Sequence, residues 1–198
     1  MIAIVDYGAG NLRSVKKALD YLGFESEITR DPELVRSARK VILPGVGHFA
    51  ATARLTTSGL RDAFCDIIRQ GTPFLGICVG MQWLYAGSEE SPDTPGLGVF
   101  PGSCVRFPSG IKVPHVGWNS LQRSGESRLL NGITSSAFVY FTHSYRAPIT
   151  EGTVAVTEYD SPFASVVERD NVFGVQFHPE KSAEEGLKML RNFGDLKC

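Results

Sequence analysis

The sequence predicts an α/β fold: a mostly parallel central sheet flanked by helices, extended by antiparallel strands in the C-terminal half. Three observations lead there. Up to about residue 95, short apolar runs alternate with segments of helical periodicity, the pattern of a parallel, doubly wound sheet. Beyond that point glycine and proline become frequent, and extended runs follow one another without helices. A cysteine between two glycines, Gly76-Ile77-Cys78-Val79-Gly80, stands where an apolar run gives way to a helical pattern. That is the strand-to-helix elbow of G-x-S-x-G type with sulfur in place of oxygen.

Ile2 to Val5 reads as the first strand. Asn11 is placed to cap a helix whose apolar face is Val15, Ala18, Leu19 and Leu22. Phe24 to Thr29 is expected as a strand and Asp31 to Ala38 as a short helix with Pro32 at its first position. Val41-Ile42-Leu43 is a third strand, ended by Pro44-Gly45. Helices are expected over Ala50 to Leu55 and Leu60 to Arg69, then a fourth strand over Phe74 to Ile77. In the second half Val99 to Phe107, Ala137 to Tyr145, Thr153 to Glu158, Ala164 to Glu168 and Val172 to Phe177 look extended. Asp170-Asn171 suits a hairpin turn between the last two. The final helix begins at Ser182, with Glu185 completing a capping box and Leu187, Leu190 and Phe193 forming a core stripe. No stretch resembles a linker, so residues 1–198 are expected to be one domain.

Composition narrows the classes. With 42% hydrophobic and 21% charged residues, the chain is ordinary for a globular protein, and a net charge of -1 gives no basic excess for nucleic acid. Apolar runs are strand-sized, so no membrane span is expected. The start, Met1 to Asp6, is too soon charged for a signal peptide, which points to a cytoplasmic protein. Cys65, Cys78, Cys104 and Cys198 include no C-x-x-C pair, and His48, His115, His143 and His178 include no i, i+4 pair. Neither disulfides, nor a metal, nor a cofactor is called for.

Catalytic chemistry concentrates at Cys78. At a helix N-terminus a thiolate is favoured, and the N–H of Val79 is positioned to donate to an oxyanion. Read by itself, the segment fits equally a small buried cysteine. A thiolate needs a base and the base an orienter. His178 ends an apolar strand, and Pro179 stiffens the step to Glu180, which on an extended chain faces the same way. Glu180 would then fix the imidazole tautomer; alternatively it caps the Ser182 helix beside a surface histidine. His143, in Phe141-Thr142-His143-Ser144-Tyr145, is the rival base but has no neighbouring carboxylate. His48 and His115 lie beside glycine and proline and read as structural. Pro44-Gly45-Val46-Gly47 is either a second oxyanion donor or a simple βα turn.

Gly76 to Gln82 together with His178-Pro179-Glu180 resembles the class I, triad-type glutamine amidotransferases. Asp6-Tyr7-Gly8-Ala9-Gly10-Asn11, Pro114-His115-Val116-Gly117-Trp118-Asn119 and His178-Pro179-Glu180-Lys181-Ser182 are similar to the family of glutaminase subunits of imidazole glycerol phosphate synthase. The resemblance runs the whole length of the chain. It implies Cys78 as nucleophile, His178 as general base and acid, Glu180 as orienting carboxylate, and oxyanion donors at Val79 and the Val46-Gly47 turn. It implies glutamine binding by Gly45, Gln82, Glu90, Ser144 and Tyr145, and an interface at Asn11, Trp118 and Lys181. The substrate would be L-glutamine, and the partner a cyclase subunit completing a heterodimer. Val79 and Trp83 stand where leucine is more usual, but Val79 would act through its N–H. The alternatives are a glutaminase serving another synthase and a catalytically silent regulatory subunit.

Overall fold

A computed structural model describes residues 1–197; Cys198 lies outside them. The first half runs β1 (Ile2–Val5), α1 (Leu12–Tyr21), β2 (Ser26–Thr29), α2 (Pro32–Ser37), β3 (Lys40–Gly45), α3 (Ala53–Thr57), α4 (Leu60–Arg69), β4 (Phe74–Cys78) and α5 (Val79–Trp83). The second runs β5 (Gly87–Ser88), β6 (Ser103–Arg106), β7 (His115–Ser120), β8 (Gln122–Arg123), β9 (Phe138–His143) and β10 (Tyr145–Arg146). It ends with β11 (Thr153–Tyr159), β12 (Ser161–Arg169), β13 (Val172–Val175) and α6 (Ala183–Asp195).

The main sheet has the order β2-β1-β3-β4-β13-β12-β11-β8. Its first five strands are parallel and the rest antiparallel. The strands β1, β3, β4 and β13 are buried throughout, as expected where helices cover both faces. Helix α1 contributes Val15, Ala18 and Leu19 to the core, and α4 contributes Leu60, Ala63, Phe64 and Ile67. The pair β7–β9 and the trio β10-β6-β5 form two small separate sheets. β4 sits between β3 and β13, so its C-terminal end meets the ends of two neighbours.

Several differences from expectation trace to partners distant in the sequence. Strand β13 joins β12 through the Asp170-Asn171 hairpin, yet its other edge pairs parallel with β4, so the second half is not wholly antiparallel. Phe24 and Glu25 stay outside β2, and the run Val99 to Phe107 narrows to β6. The helix expected from Ala50 starts as a 3-10 turn, Phe49–Thr52, before α3. Asn11 stands at the start of α1 but makes no capping hydrogen bond, because its amide reaches Glu180 instead. The capping box at Ser182 does not form. The Ser182 hydroxyl donates to the carbonyl of His178 (2.6 Å) and accepts from the N–H of Tyr140 (2.9 Å), while Glu185 accepts from Thr134. In the final stripe Leu190 and Phe193 are fully buried and Leu187 is half-buried, with Met189 and Gly186 completing the buried face.

Candidate active site

The elbow is built by exclusion of side chains. Cys78 ends β4 with φ 55° and ψ -111°, a left-handed backbone that costs a non-glycine residue about 1–3 kcal/mol. A Cβ on Gly76 would lie 2.6 Å from the carbonyl oxygen of Gly80, and one on Gly80 would lie 2.0 Å from that of Leu43. Both flanks therefore require glycine, and the strain is stored at the one residue between them that carries a thiol. Cys78 is 3% exposed. Its sulfur is approached by the amide Nε2 of Gln176 at 3.7 Å.

His178 is delivered from the other side. Its N–H donates to the carbonyl of Tyr140 on β9 (2.9 Å), which anchors the strand end just past β13. The 3-10 turn Pro179–Lys181 then carries Glu180 back so that Oε1 meets His178 Nδ1 at 2.9 Å. A carboxylate only accepts, so Nδ1 carries the hydrogen. The remaining nitrogen, Nε2, is buried without a hydrogen-bond partner of good geometry, and the neighbouring thiol of Cys78 is the group electrostatically coupled to it. Burial lowers the proton affinity of this imidazole, but Cys78 and Glu180 together outweigh it and raise the pKa to about 10. Glu180 Oε1 also accepts from Asn11 Nδ2 (3.2 Å), so a residue of the first βα loop braces the carboxylate. The histidine and glutamate side chains are each 1% exposed, which removes the screening that weakens surface pairs.

A cleft of about 200 Å³ opens over the sulfur, lined by Val46, Gly47, Cys78, Val79, Gln82, Glu90, Pro114, Thr142, His143, Ser144 and Tyr145. Gln82 Nε2 donates to the carbonyl of Tyr145 (3.0 Å) and to Gln176 Oε1 (3.1 Å). Glu90 accepts from the N–H of Phe49 (2.7 Å) and so clamps the loop that follows Gly47. Gly45 does not line the cleft. It lies beneath the elbow, where a Cβ would come within 2.8 Å of Gly80 N, the Tyr7 hydroxyl and Val79 Cβ. His143 is not free to serve as a base, since both ring nitrogens are engaged, with the carbonyl of Tyr145 (2.8 Å) and with His115 (3.0 Å). His48 accepts from the N–H of Ala50 and caps its 3-10 turn.

Trp118, exposed at 52%, packs edge-on against Tyr140, over which the ammonium of Lys181 sits at 5.8 Å. This patch adjoins the cluster through the Glu180–Lys181 step. Asn11 is partly buried rather than freely exposed, being held by Glu180. Sequence reading missed Gln176, whose signal was a lone amide in an otherwise apolar strand, and the link between His115 and His143, for which sequence carried no signal. A wider depression of about 640 Å³ around Arg128 and Glu168 shares no residue with the cleft. Among the described residues, no group of three or more His, Cys, Asp or Glu could hold a metal, and no helix is long and apolar enough to cross a membrane.

Comparison with known proteins gives one consistent answer. The family described as glutamine amidotransferase class-I matches residues 3–196. The imidazole glycerol phosphate synthase subunit HisH of Caldanaerobacter subterraneus subsp. tengcongensis is 48% identical, over 100% of both chains. The subunit of the same name from Moorella thermoacetica is 50% identical, over 98% of this chain and 94% of its own. That of Thermococcus kodakarensis is also 50% identical, over 99% and 100%. Among solved structures, a glutamine amidotransferase superposes with TM-score 0.77 at 23% identity, covering 98% of this chain and 97% of its own. PurLQS from Thermotoga maritima gives TM-score 0.77 at 20% identity, over 97% and 96%. At those identities the structural likeness speaks for the fold.

Proposed function

This chain belongs to the class I glutamine amidotransferase family, and from that premise we propose that it is the glutaminase subunit of an imidazole glycerol phosphate synthase. It hydrolyses L-glutamine to L-glutamate and ammonia as a single domain spanning residues 1–198, in the cytoplasm. The ammonia passes to a cyclase subunit, which converts PRFAR to imidazole glycerol phosphate and AICAR in histidine biosynthesis. A closed passage between subunits has a physical purpose, since free ammonia would be protonated and lost in water.

The Cys78 thiolate attacks the side-chain amide carbon of glutamine. The N–H of Val79 and the Val46-Gly47 turn hold the oxyanion that forms. His178 gives its Nε2 proton to the departing nitrogen, ammonia leaves, and a γ-glutamyl thioester remains on Cys78. A water molecule, deprotonated by His178, then attacks the thioester. Glutamate is released and the thiolate–imidazolium pair is restored, so glutamine and water balance glutamate and ammonia. Glu180 keeps Nδ1 protonated and stabilises the imidazolium throughout. Gln82, Glu90, Ser144 and Tyr145 shape the glutamine cleft, with Gly45 supporting it from below. Asn11, Trp118 and Lys181 face the cyclase.

The observation that carries this reading is the strained Cys78 coupled to a buried imidazole whose far nitrogen is held by a carboxylate at 2.9 Å. The test is glutamate release from L-glutamine by the purified chain, alone and with the cyclase subunit and PRFAR. Strong release in the full mixture is expected. A correctly folded complex that releases none would overturn the reading in favour of a silent subunit.

A further inference from the structure

We propose that His115 and His143 are positioning residues for the substrate, forming a neutral two-imidazole relay that pins the Tyr145 carbonyl and thereby shapes the Thr142–Tyr145 wall for the amino-acid end of glutamine. The inference rests on the reading of the cleft as a glutamine site and adds two residues to it.

The proton positions follow from one end of the chain of contacts. The Tyr145 carbonyl can only accept, so His143 Nδ1, at 2.8 Å, carries a hydrogen. A neutral His143 then accepts at Nε2, so His115 Nδ1, at 3.0 Å, is the donor. His115 Nε2 in turn is an acceptor, and it meets the amide nitrogen of Asn119 at 3.4 Å. That amide is itself oriented, since its nitrogen also donates to the Glu158 carbonyl (2.9 Å) and its oxygen accepts from the N–H of Ser120 (2.8 Å). One tautomer satisfies every contact. Adding a proton to His143 would set two N–H groups against each other across the 3.0 Å gap.

The surroundings hold the relay in that state. His115 is stacked between Phe141 (4.9 Å) and Tyr159 (4.0 Å), and His143 lies against Phe107 (5.2 Å) and Phe163 (5.1 Å). Burial lowers the proton affinity of both rings, to about 4 for His115 and about 3 for His143. Polar groups in such an apolar cage are costly unless fully satisfied, and these are satisfied by a contact that ends at a cleft residue.

The consequence lies at the wall. The Tyr145 carbonyl receives hydrogens from both His143 and Gln82, and the Ser144 carbonyl receives one from Phe107 N–H (3.1 Å). Both oxygens are thus engaged within the protein. Released, either would be a negative dipole end free to swing toward the carboxylate of a bound amino acid and repel it.

The test uses the complex with the cyclase subunit and PRFAR, with glutamate release as readout. His143→Leu is expected to raise KM for glutamine about tenfold or more while kcat stays within about threefold, the signature of lost uniform binding. His143→Asn, whose amide nitrogen can stand in for Nδ1, is expected to recover most of the loss. Alkylation of Cys78 by iodoacetamide, which lacks an amino-acid end, should be unchanged in His143→Leu, whereas inactivation by a glutamine-analogue chloroketone should need higher concentrations. Phe193→Leu, a core change away from the cleft, should lower Tm and leave KM alone. If His143→Leu does not fold, His115→Phe keeps the aromatic stack, breaks the relay one step earlier, and must raise KM likewise. An unchanged KM in the folded variants overturns the proposal, as does a matched fall in kcat and in iodoacetamide labelling. Failure of the wild-type enzyme to react with the chloroketone would instead count against the glutamine reading itself.

Discussion

Two buried histidines, His143 in the wall of the cleft and His178 beside Cys78, have proton affinities driven in opposite directions. His178 meets a carboxylate on one side and a thiol on the other, and is raised to about 10. His143 meets a carbonyl and a second neutral imidazole, and is lowered to about 3. Burial alone would depress both. The difference teaches that burial does not by itself decide a buried imidazole's proton affinity: the carboxylate and thiol around His178 outweigh it, and the neutral partners of His143 do not.

The largest effects should come from the charged side. Cys78→Ala and His178→Asn are each expected to reduce glutamate release by about 10³-fold or more without unfolding the chain, which circular dichroism can check. Cys78→Gly should be equally inactive yet melt at a higher temperature, because glycine adopts the left-handed backbone freely and about 1 kcal/mol or more of strain is relieved. A lower Tm for that variant would contradict the strained elbow.

Glu180→Gln should lower kcat about 10²-fold or more, since an amide cannot stabilise the imidazolium. It should also move the alkaline limb of the rate profile to lower pH, because the carboxylate is one of the groups that raise His178. An unmoved limb would mean that the pair does not set the titration.

The contrast extends to stability. His115 and His143 bind protons more readily when unfolded, where a histidine titrates near 6.5, than when folded. Their neutral burial contributes fully above about pH 6.5 and is lost as pH falls toward about 4 and then about 3. His178 has the reverse sign, with stabilisation present below about pH 6.5 and lost as pH rises through about 10. Thermal melts should therefore decline on both sides of neutrality, by about 2–4 °C for each kcal/mol lost in a chain of this size. Exchanging His115 and His143 together for Phe and Leu should lessen the decline chiefly on the acid side, and His178→Asn chiefly on the alkaline side. The smallest effect expected is from Asn11→Ala. It removes one of two hydrogen bonds to Glu180 Oε1, a long one at 3.2 Å, and should lower kcat by about threefold to tenfold with saturating cyclase, the cost of one ordinary hydrogen bond of about 1 kcal/mol.

Legibility in the sequence followed the range of the interactions. The elbow was readable because a strand, two glycines and a helix lie within a few residues, and the His178–Glu180 pair because its members are two apart. The first four parallel strands and the Asp170-Asn171 hairpin came from local periodicity and turn chemistry. The parallel pairing of β13 with β4 could not be read, since it joins segments far apart in the sequence. Strand β7 was missed because Pro114 directly precedes it and Gly117 interrupts its alternation, and with it went the His115–His143 contact, which spans 28 residues. Asn11 and Ser182 carried valid capping signals, but other partners claimed their side chains: the distant Glu180 for one, and the distant Tyr140 with the neighbouring His178 carbonyl for the other.

The most direct test of the account is acid quench of the complex during glutamine turnover, followed by peptide mass spectrometry. A γ-glutamyl group on the peptide carrying Cys78, accumulating in Glu180→Gln and absent in Cys78→Ala, is the predicted result. Sustained glutamate release by Cys78→Ala, with no acyl group on any cysteine of the wild-type enzyme, would contradict it.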